Sequence, residues 1–368
     1  MNQSVSTAGE IRTISNTSSG TEEATAYPLV SVLMPVRNEA AFIARSMGSV
    51  ASQDYPHQRI EVLIADGCST DATRAVVESL RQTYPDVSLT VLDNPEKIVA
   101  TALNTALRQA KGEVIVRVDG HCQIAVDYLS RCVEHLSHDD GVEAVGGPVE
   151  TIGESYVARV IALAMSSWFG VGGSAFRLAN SSTQFTDTVA FPAYTRRLID
   201  RAGPFDEELV RNQDDEYNYR LRKLGVKILL AADVRSCYYS RATLPGLCSQ
   251  YFQYGYWKVR VMQKHPRQMR LRQFAPPLFV AALLSVAVLL PIISAARYLA
   301  IAMAGAYALT SIVAAILSVK KQQWRLLPLL PIAFVILHVA YGLGFLIGLA
   351  KFWNRWWGPK VVALPAVQ

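Results

Sequence analysis

Negative charge is missing from a third of this chain. All 30 Asp and Glu of the 368 residues precede Val234, whereas residues 234–368 hold 15 of the 36 Lys and Arg and no acid. The net charge of +6 therefore averages two opposite parts. A basic, acid-free segment interleaved with apolar runs predicts association with a membrane on its anionic side. Nucleic acid is the competing partner for excess positive charge. Here the cations flank apolar runs and form no solvated basic face, so no nucleic-acid partner is expected. Cysteine is scarce and unpatterned: Cys68, Cys122, Cys132, Cys237 and Cys248 are odd in number and lack CxxC spacing. That excludes a zinc ribbon and a disulfide framework, and it fits a reducing compartment. The opening stretch lacks the apolar core of a signal peptide. It is rich in Ser and Thr, and residues 1–28 are expected to be a disordered tail.

Apolar residues are abundant, at 51% of the chain with a mean hydropathy of +0.19, more than an ordinary soluble domain carries. The excess sits in three runs at 278–296, 298–319 and 326–350, uncharged except for one histidine in the last. Each is about long enough to span a bilayer as a helix. Only Arg297 separates the first two, so that pair reads as a tight hairpin or a shallow re-entrant element. The tail 351–368 opens with "FWNRWWGPK", an aromatic and cationic interfacial anchor. Three spans would put this tail across the membrane from the N-terminal part, against the positive-inside tendency. Before the runs, residues 249–277 mix Tyr251, Phe252, Tyr254, Tyr256 and Trp257 with Lys258, Arg260, Lys264, Arg267, Arg270 and Arg272. This predicts an amphipathic helix on the cytoplasmic membrane surface.

Residues 29–248 alternate between two periodicities. "LVSVLMPV", "IEVLIAD", "SLTVLD" and "EVIVRVD" are apolar runs of strand length. Between them lie helical patterns, one capped through Ser69, Thr70 or Asp71 and one closed by Gly112. The alternation predicts an α/β domain with a parallel sheet covered on both faces, its ligands beyond the C-terminal strand ends. Polar residues gather there: Pro35, Arg37, Asn38 and Glu39 after the first strand, Asp66, Gly67, Ser69 and Asp71 after the second, Asp119 and His121 after the fourth. One such cluster is ordinary turn chemistry. Three on one edge, each with a carboxylate, predict a site. In "VIVRVDGHCQ" (114–123), Asp119 and His121 read either as metal ligands or as a polar turn.

"VSVLMPVRNEAAFI", "IEVLIADGCSTDAT", "VRVDGH" and "NQDDEYNYRLRKLG", followed by membrane helices, resemble the inverting family 2 glycosyltransferases of the GT-A fold, most nearly their succinoglycan-biosynthesis members. The resemblance implies a Rossmann-like nucleotide-diphospho-sugar transferase domain with a C-terminal transmembrane region. It implies a UDP-sugar donor contacted by Pro35, Arg37, Asn38 and Glu39, with Asp66 on the uracil or ribose and Gly67 and Ser69 shaping the turn. Asp119 falls at the first aspartate of the family's Asp-x-Asp motif and His121 at the second. Asp214 falls at the catalytic base, with Asp215 a second candidate and Gln213 replacing the usual preceding acid.

A hard divalent metal on Asp119 could bridge two phosphates, and a histidine ligand favours Mn²⁺ over Mg²⁺. Asp214 opens a predicted helix ended by Gly225, so it reads as a helix cap or as a base kept ionised by the helix N-terminus. "WFGVGGSAFR" (168–177) lacks a P-loop pattern and reads as an acceptor-side loop, with Asp187 and Thr188 facing the donor sugar. The Gln-x-x-Arg-Trp of processive synthases is here Gln253 to Trp257 with Tyr256 in place of arginine, the charge displaced to Lys258.

Three readings follow. The first is a single-step transferase that moves a sugar, glucose in a β-1,3 linkage by resemblance, to a polyprenyl-diphosphate-linked oligosaccharide in exopolysaccharide assembly. Other assembly enzymes would be its partners, and it would sit in the bacterial inner membrane with a cytoplasmic catalytic domain. The second is a processive polysaccharide synthase, and the third a catalytically inactive UDP-sugar-binding membrane scaffold.

Overall fold

The computed structural model describes residues 27–138, 141–172, 175–177, 182–320 and 322–356. The expected tail thus falls almost wholly outside the described residues, as does the end of the chain from 357 and part of the glycine-rich loop.

The first strand, β1 (Val30–Val36), is buried along nearly its whole length. It leads to α1 (Ile43–Ala51), then β2 (Ile60–Asp66), α2 (Thr73–Thr83), β3 (Ser88–Asp93), α3 (Val99–Gln109) and β4 (Val114–Arg117). β1 lies parallel between β2 and β4, with Val36 opposite Asp66 and Leu33 opposite Arg117. The register brings the three C-terminal ends to one edge. Val32, Leu33 and Met34 are fully buried, each worth about 2 kcal/mol in area removed from water. α2 begins two residues after Asp71, whose carboxylate accepts the Thr73 N–H at 3.0 Å. Gly112 does not close a helix, because α3 ends at Gln109. Its role is close approach: a Cβ there would lie 2.5 Å from the Ser31 nitrogen, and its N–H donates to Ser31 Oγ at 2.7 Å.

The chain continues through β5 (Cys122–Ile124), α4 (Tyr128–His138), β6 (Val142–Gly147), β7 (Val149–Ile152), α5 (Tyr156–Met165) and α6 (Trp168–Val171). Then come β8 (Gln184–Thr186), β9 (Ala190–Thr195), α7 (Arg196–Ala202), α8 (Gln213–Lys223), β10 (Lys227–Leu230) and β11 (Ser236–Tyr239). The main sheet has eight strands in the order β3-β2-β1-β4-β9-β6-β10-β8. It is mixed, which corrects the expectation of an all-parallel sheet: β9 runs antiparallel to both β4 and β6, and β8 antiparallel to β10. β9 contains Pro192, and the β6–β9 register slips between Val145 and Gly147 beside it, the irregularity a proline without an N–H requires inside a sheet. A small sheet, β5-β11-β7, carries β11 across the mouth of the domain. The fold is GT-A-like.

After β11 comes α9 (Leu244–Lys264), starting before the expected residue 249 and capped by Thr243 Oγ1. α10 (Ala275–Leu289), α11 (Ser294–Ser318) and α12 (Leu330–Lys351) follow. Three segments, Leu271–Leu289, Ser294–Ser318 and Leu330–Lys351, are helical, long and apolar enough to cross a membrane. Arg297 lies inside α11, and the break falls at residues 290–293, where Pro291 stands. α10 and α11 expose apolar side chains such as Leu278, Val288, Ile301 and Leu317, as lipid-facing helices do. α12 is the most enclosed of the three and packs along α9 at backbone distance. A Cβ on Gly255 would sit 2.0 Å from the Tyr341 carbonyl oxygen, and one on Gly344 would sit 2.1 Å from that of Phe252. α9 is therefore not a helix lying free on a surface. Lys258 and Arg260 are buried and paired with acids of the catalytic domain.

Candidate active site

One large cavity, of about 1290 Å³, runs from the C-terminal ends of β1 and β4 to the membrane helices. Pro35, Arg37, Asn38, Glu39 and Gly67, after β1 and β2, line one part of its wall. Asp119 and His121 line its floor, Asp214 and Asp215 the opposite wall, and Phe279, Tyr307, His338 and Tyr341 its far end.

The turn after β1 is a backbone construction. Asn38 adopts φ 55°, its N–H donates to Ser69 Oγ at 2.9 Å, and its Oδ1 accepts the Thr70 N–H at 2.8 Å. Asn38 and Ser69 thus tie two strand-end turns together. Asp66 is tied into the second of these turns. It is 1% exposed, accepts the Ser69 N–H at 3.2 Å and pairs with Arg74 Nε at 2.5 Å. Neither Asp66 nor Ser69 lines the cavity; they brace the turn that does.

Asp119 follows β4 and is held in bidentate fashion by Arg117, with Nε to Oδ1 at 2.7 Å and Nη2 to Oδ2 at 2.9 Å. Burial opposes its ionisation, but Arg117, then His121 and Arg211, outweigh this and hold its pKa below the usual carboxylate value. His121 Nδ1 meets Glu39 Oε1 at 2.8 Å, and the Tyr238 ring lies edge-on to the imidazole at 5.1 Å. Glu39 is itself fixed through its N–H to Thr73 Oγ1 at 2.8 Å.

Asp214 sits in the first turn of α8, whose cap Asn212 takes φ 62° and donates through Nδ2 to the Tyr254 carbonyl at 2.8 Å. The helix ends as expected before Gly225, at φ 78°. The Asp214 carboxylate opens onto the cavity while protein walls surround it. Desolvation by those walls, then the charge of Asp215, raises its pKa against the pull of Arg117 and Lys258. Asp215 is different: it forms an ion pair with the buried Lys258 of α9. Two carboxylates of one cavity thus have pKa values pushed apart, Asp119 down and Asp214 up, the pattern that separates an ionised ligand from a base. Asp187 pairs with Arg270 at 2.9 Å, and Thr188 Oγ1 accepts from Asn218 Nδ2 at 2.8 Å. Both line the cavity.

Residues 31–201 match the glycosyl transferase family 2 pattern. The chain carries a family 2 glycosyltransferase domain. Succinoglycan biosynthesis protein ExoA of Rhizobium meliloti is 29% identical over 330 residues, 88% of this chain and 96% of that protein. The dolichyl N-acetyl-alpha-D-glucosaminyl phosphate 3-beta-D-2,3-diacetamido-2,3-dideoxy-beta-D-glucuronosyltransferase of Methanococcus voltae is 27% identical over 240 residues, 64% of this chain and 74% of that protein. The solved mannosyltransferase PcManGT from Pyrobaculum calidifontis, in complex with GDP-Man and Mn²⁺, covers 87% of each chain with a TM-score of 0.59 at 23% identity, a likeness of fold.

The glycosyltransferase cavity also holds residues that the motifs did not single out. Arg117 had a usable signal: a charge two residues before Asp119 in a buried strand must share its face. Arg211, Lys97 and Asn218 carry no such signal, since Lys97 reaches the cavity through a turn at φ 62° and Asn218 through helix phase.

Proposed function

We propose that the protein is an inverting glycosyltransferase of the bacterial inner membrane, with its catalytic domain on the cytoplasmic side. In this reading it moves one sugar from a UDP-sugar to a polyprenyl-diphosphate-linked acceptor in exopolysaccharide assembly. The observation that carries this is the continuity of the cavity: the walls that hold Asp119 and Asp214 run without a break to Phe279, Tyr307 and Tyr341 of the apolar helices. An acceptor whose tail lies in a membrane can reach such a base, and a soluble acceptor has no need of that end. The names of the Rhizobium and Methanococcus relatives point the same way, to a polysaccharide and to a lipid-phosphate sugar. The donor sugar is glucose and the linkage β-1,3 by resemblance.

In this mechanism Asp214 takes the proton of the acceptor hydroxyl, its raised pKa making it the stronger base of the pair. Asp215, tied to Lys258, stays out of proton transfer and fixes the start of α8. Arg37 and Asn38 hold the donor nucleotide. A divalent ion fits the floor: Glu39 engages His121 through Nδ1, leaving Nε2 with no protein partner among the described residues. A carboxylate behind a ligating imidazole is the usual supporting arrangement. Asp119 and His121 would hold the ion, and phosphate oxygens and water would complete its shell, since the described residues contain no group of three or more His, Cys, Asp or Glu suited to a metal. Bound there, the ion would neutralise the diphosphate leaving group, with Mn²⁺ favoured over Mg²⁺ by the imidazole.

The test uses membranes containing the protein, a lipid extract from the source bacterium and labelled UDP-glucose, UDP-galactose or UDP-N-acetylglucosamine, with Mn²⁺, Mg²⁺ or chelator. Metal-dependent label in a short, organic-soluble product is expected, highest with UDP-glucose and Mn²⁺. Label in a long insoluble product would replace this reading with a processive synthase. UDP-sugar binding without label would replace it with a scaffold.

A further inference from the structure

The cavity contains more positive charge than one diphosphate needs, with Arg211 near Asp119 and further cations elsewhere on the lining. Arg117, Lys258 and Arg272 are engaged by Asp119, Asp215 and Asp187. On the nucleotide side, Arg37 and Lys97 flank Gly67, a Cβ on which would touch Arg37 Cβ at 3.3 Å and Lys97 Cα at 3.4 Å. Elsewhere on the lining, Arg177 follows α6 in sequence, and Arg241 lies two residues before the cap of α9. Both line the cavity, and neither has a carboxylate partner among the described residues.

Both arginines share the cavity lining with Tyr238 and Tyr254. Burial raises the Tyr238 pKa, and Arg241 and Arg177 both oppose this from nearby. Gln250 Nε2 donates to Tyr238 Oη at 3.3 Å and to Tyr254 Oη at 2.9 Å. Each hydroxyl therefore accepts a bond and keeps its own proton to give, with no acceptor for it among the described residues. The Gln250 Oε1 atom is buried without a partner. The cluster thus offers two guanidinium groups and two O–H donors to an anion. Donors at a cavity wall can exchange water for an anion, and charge-assisted bonds to a phosphate are the strong ones. Its place is also informative: Tyr238 and Tyr254 pack on the apolar cluster that joins α5 and α9 to α11 and α12. The cluster is at the seam between the catalytic domain and the membrane helices, and the Tyr238 ring also meets the His121 imidazole edge-on at 5.1 Å.

We propose that Arg177, Arg241, Tyr238 and Tyr254 form a second anion subsite that binds the phosphate or diphosphate of the lipid-linked acceptor, with Gln250 orienting the two hydroxyls. The proposal rests on the reading of the acceptor as lipid-linked. It assigns the nucleotide diphosphate to the Arg37 and Asp119 side and the acceptor phosphate to the α9 side, so that the acceptor sugar lies between them, toward Asp214.

The experiment measures binding to the full chain in lipid nanodiscs, with farnesyl diphosphate as the acceptor probe and UDP with Mn²⁺ as the donor probe. R177Q/R241Q is expected to weaken farnesyl diphosphate binding by about a hundredfold, roughly tenfold for each guanidinium removed from the phosphate, while UDP binding stays within about twofold. Tyr254→Phe, which keeps the ring and the packing, is expected to weaken only farnesyl diphosphate, by a smaller factor. That variant decides the matter if the double variant does not fold. Weakened UDP binding with farnesyl diphosphate unchanged would assign the arginines to the donor and overturn the proposal. If the wild-type chain binds farnesyl diphosphate and the variants bind it equally well, the subsite is wrong and the lipid-acceptor reading stands. If the wild-type chain does not bind it, both fall.

Discussion

Up to Asp233 the catalytic domain largely settles its charges within itself: Arg74 with Asp66, Arg117 with Asp119, Arg201 with Glu143, Arg220 with Glu216. The acid-free remainder has no such option, and its cations reach back across the seam. Lys258 pairs with Asp215, Arg260 and Arg355 with Glu208, Lys264 with Asp206 and Arg270 with Asp187. The charge asymmetry of the sequence is thus partly a docking code between two parts of one molecule. Composition alone reads it as attraction to anionic lipid; for these residues the anion is the protein's own. α9 carries the code on one side and packs on α12 through Gly255 and Gly344 on the other. The position of the membrane helices therefore bears on α8, where Asp214 stands.

The comparison breaks most visibly at Asp214 and Asp215, neighbours that belong to different sides of the seam. Asp214→Asn is expected to lower transfer by about a thousandfold, the contribution of a general base, with UDP binding and membrane insertion kept. Asp215→Asn should keep measurable turnover and lose stability instead. Comparable losses of turnover in both variants would contradict the division of roles. Lys258→Met leaves Asp215 without its buried partner and is expected to cost about 3 kcal/mol in unfolding experiments. The double variant K258M/D215L should recover most of it. Next in size, Gly344→Val would force a side chain into the Phe252 carbonyl. A loss of about 1–3 kcal/mol is expected, together with weakened acceptor binding and unchanged UDP binding.

The smallest effect compares Asp119 with Asp214 through pH. Asp119 has a lowered pKa, so its stabilisation is present above the unfolded value of about 4 and fades as pH falls through the folded one. Asp214 has a raised pKa, so its ionisation costs stability as pH rises through the folded value. At neutral pH, Asp119→Asn should lower Tm and Asp214→Asn should leave it unchanged or raise it slightly. Thermal melts of the wild type and the two variants from about pH 2 to 8 check the opposite signs, the Asp119 difference shrinking below about pH 4 and the Asp214 difference changing above it.

Local pattern explains what was legible in the sequence. β1, β2, α3 and the three apolar helices follow from periodicity and run length, and the polar strand ends predicted a cavity edge. β9 was not legible as a central strand, because Pro192 and a positive φ at Phe191 spoil its pattern and its neighbours β4 and β6 are distant in sequence. The same distance hid the partners of Lys258 and Arg260. In sequence Asp66 is indistinguishable from Asp119, each an acid at a strand end. What separates them is a partner seen only in the fold: Arg74 draws Asp66 inward, and Arg117 holds Asp119 at the cavity.

The central claim is that one cavity joins a nucleotide-sugar site to a lipid-borne acceptor, with Asp214 as the base between them. The most direct measurement is organic-phase label from labelled UDP-glucose and the source lipid extract, for the wild-type chain and for Asp214→Asn side by side. The account predicts metal-dependent label in a short lipid product for the wild type and about a thousandth of that rate for the variant, with equal UDP binding in both. Wild-type rates from the variant, or label only in water-soluble product, would contradict it.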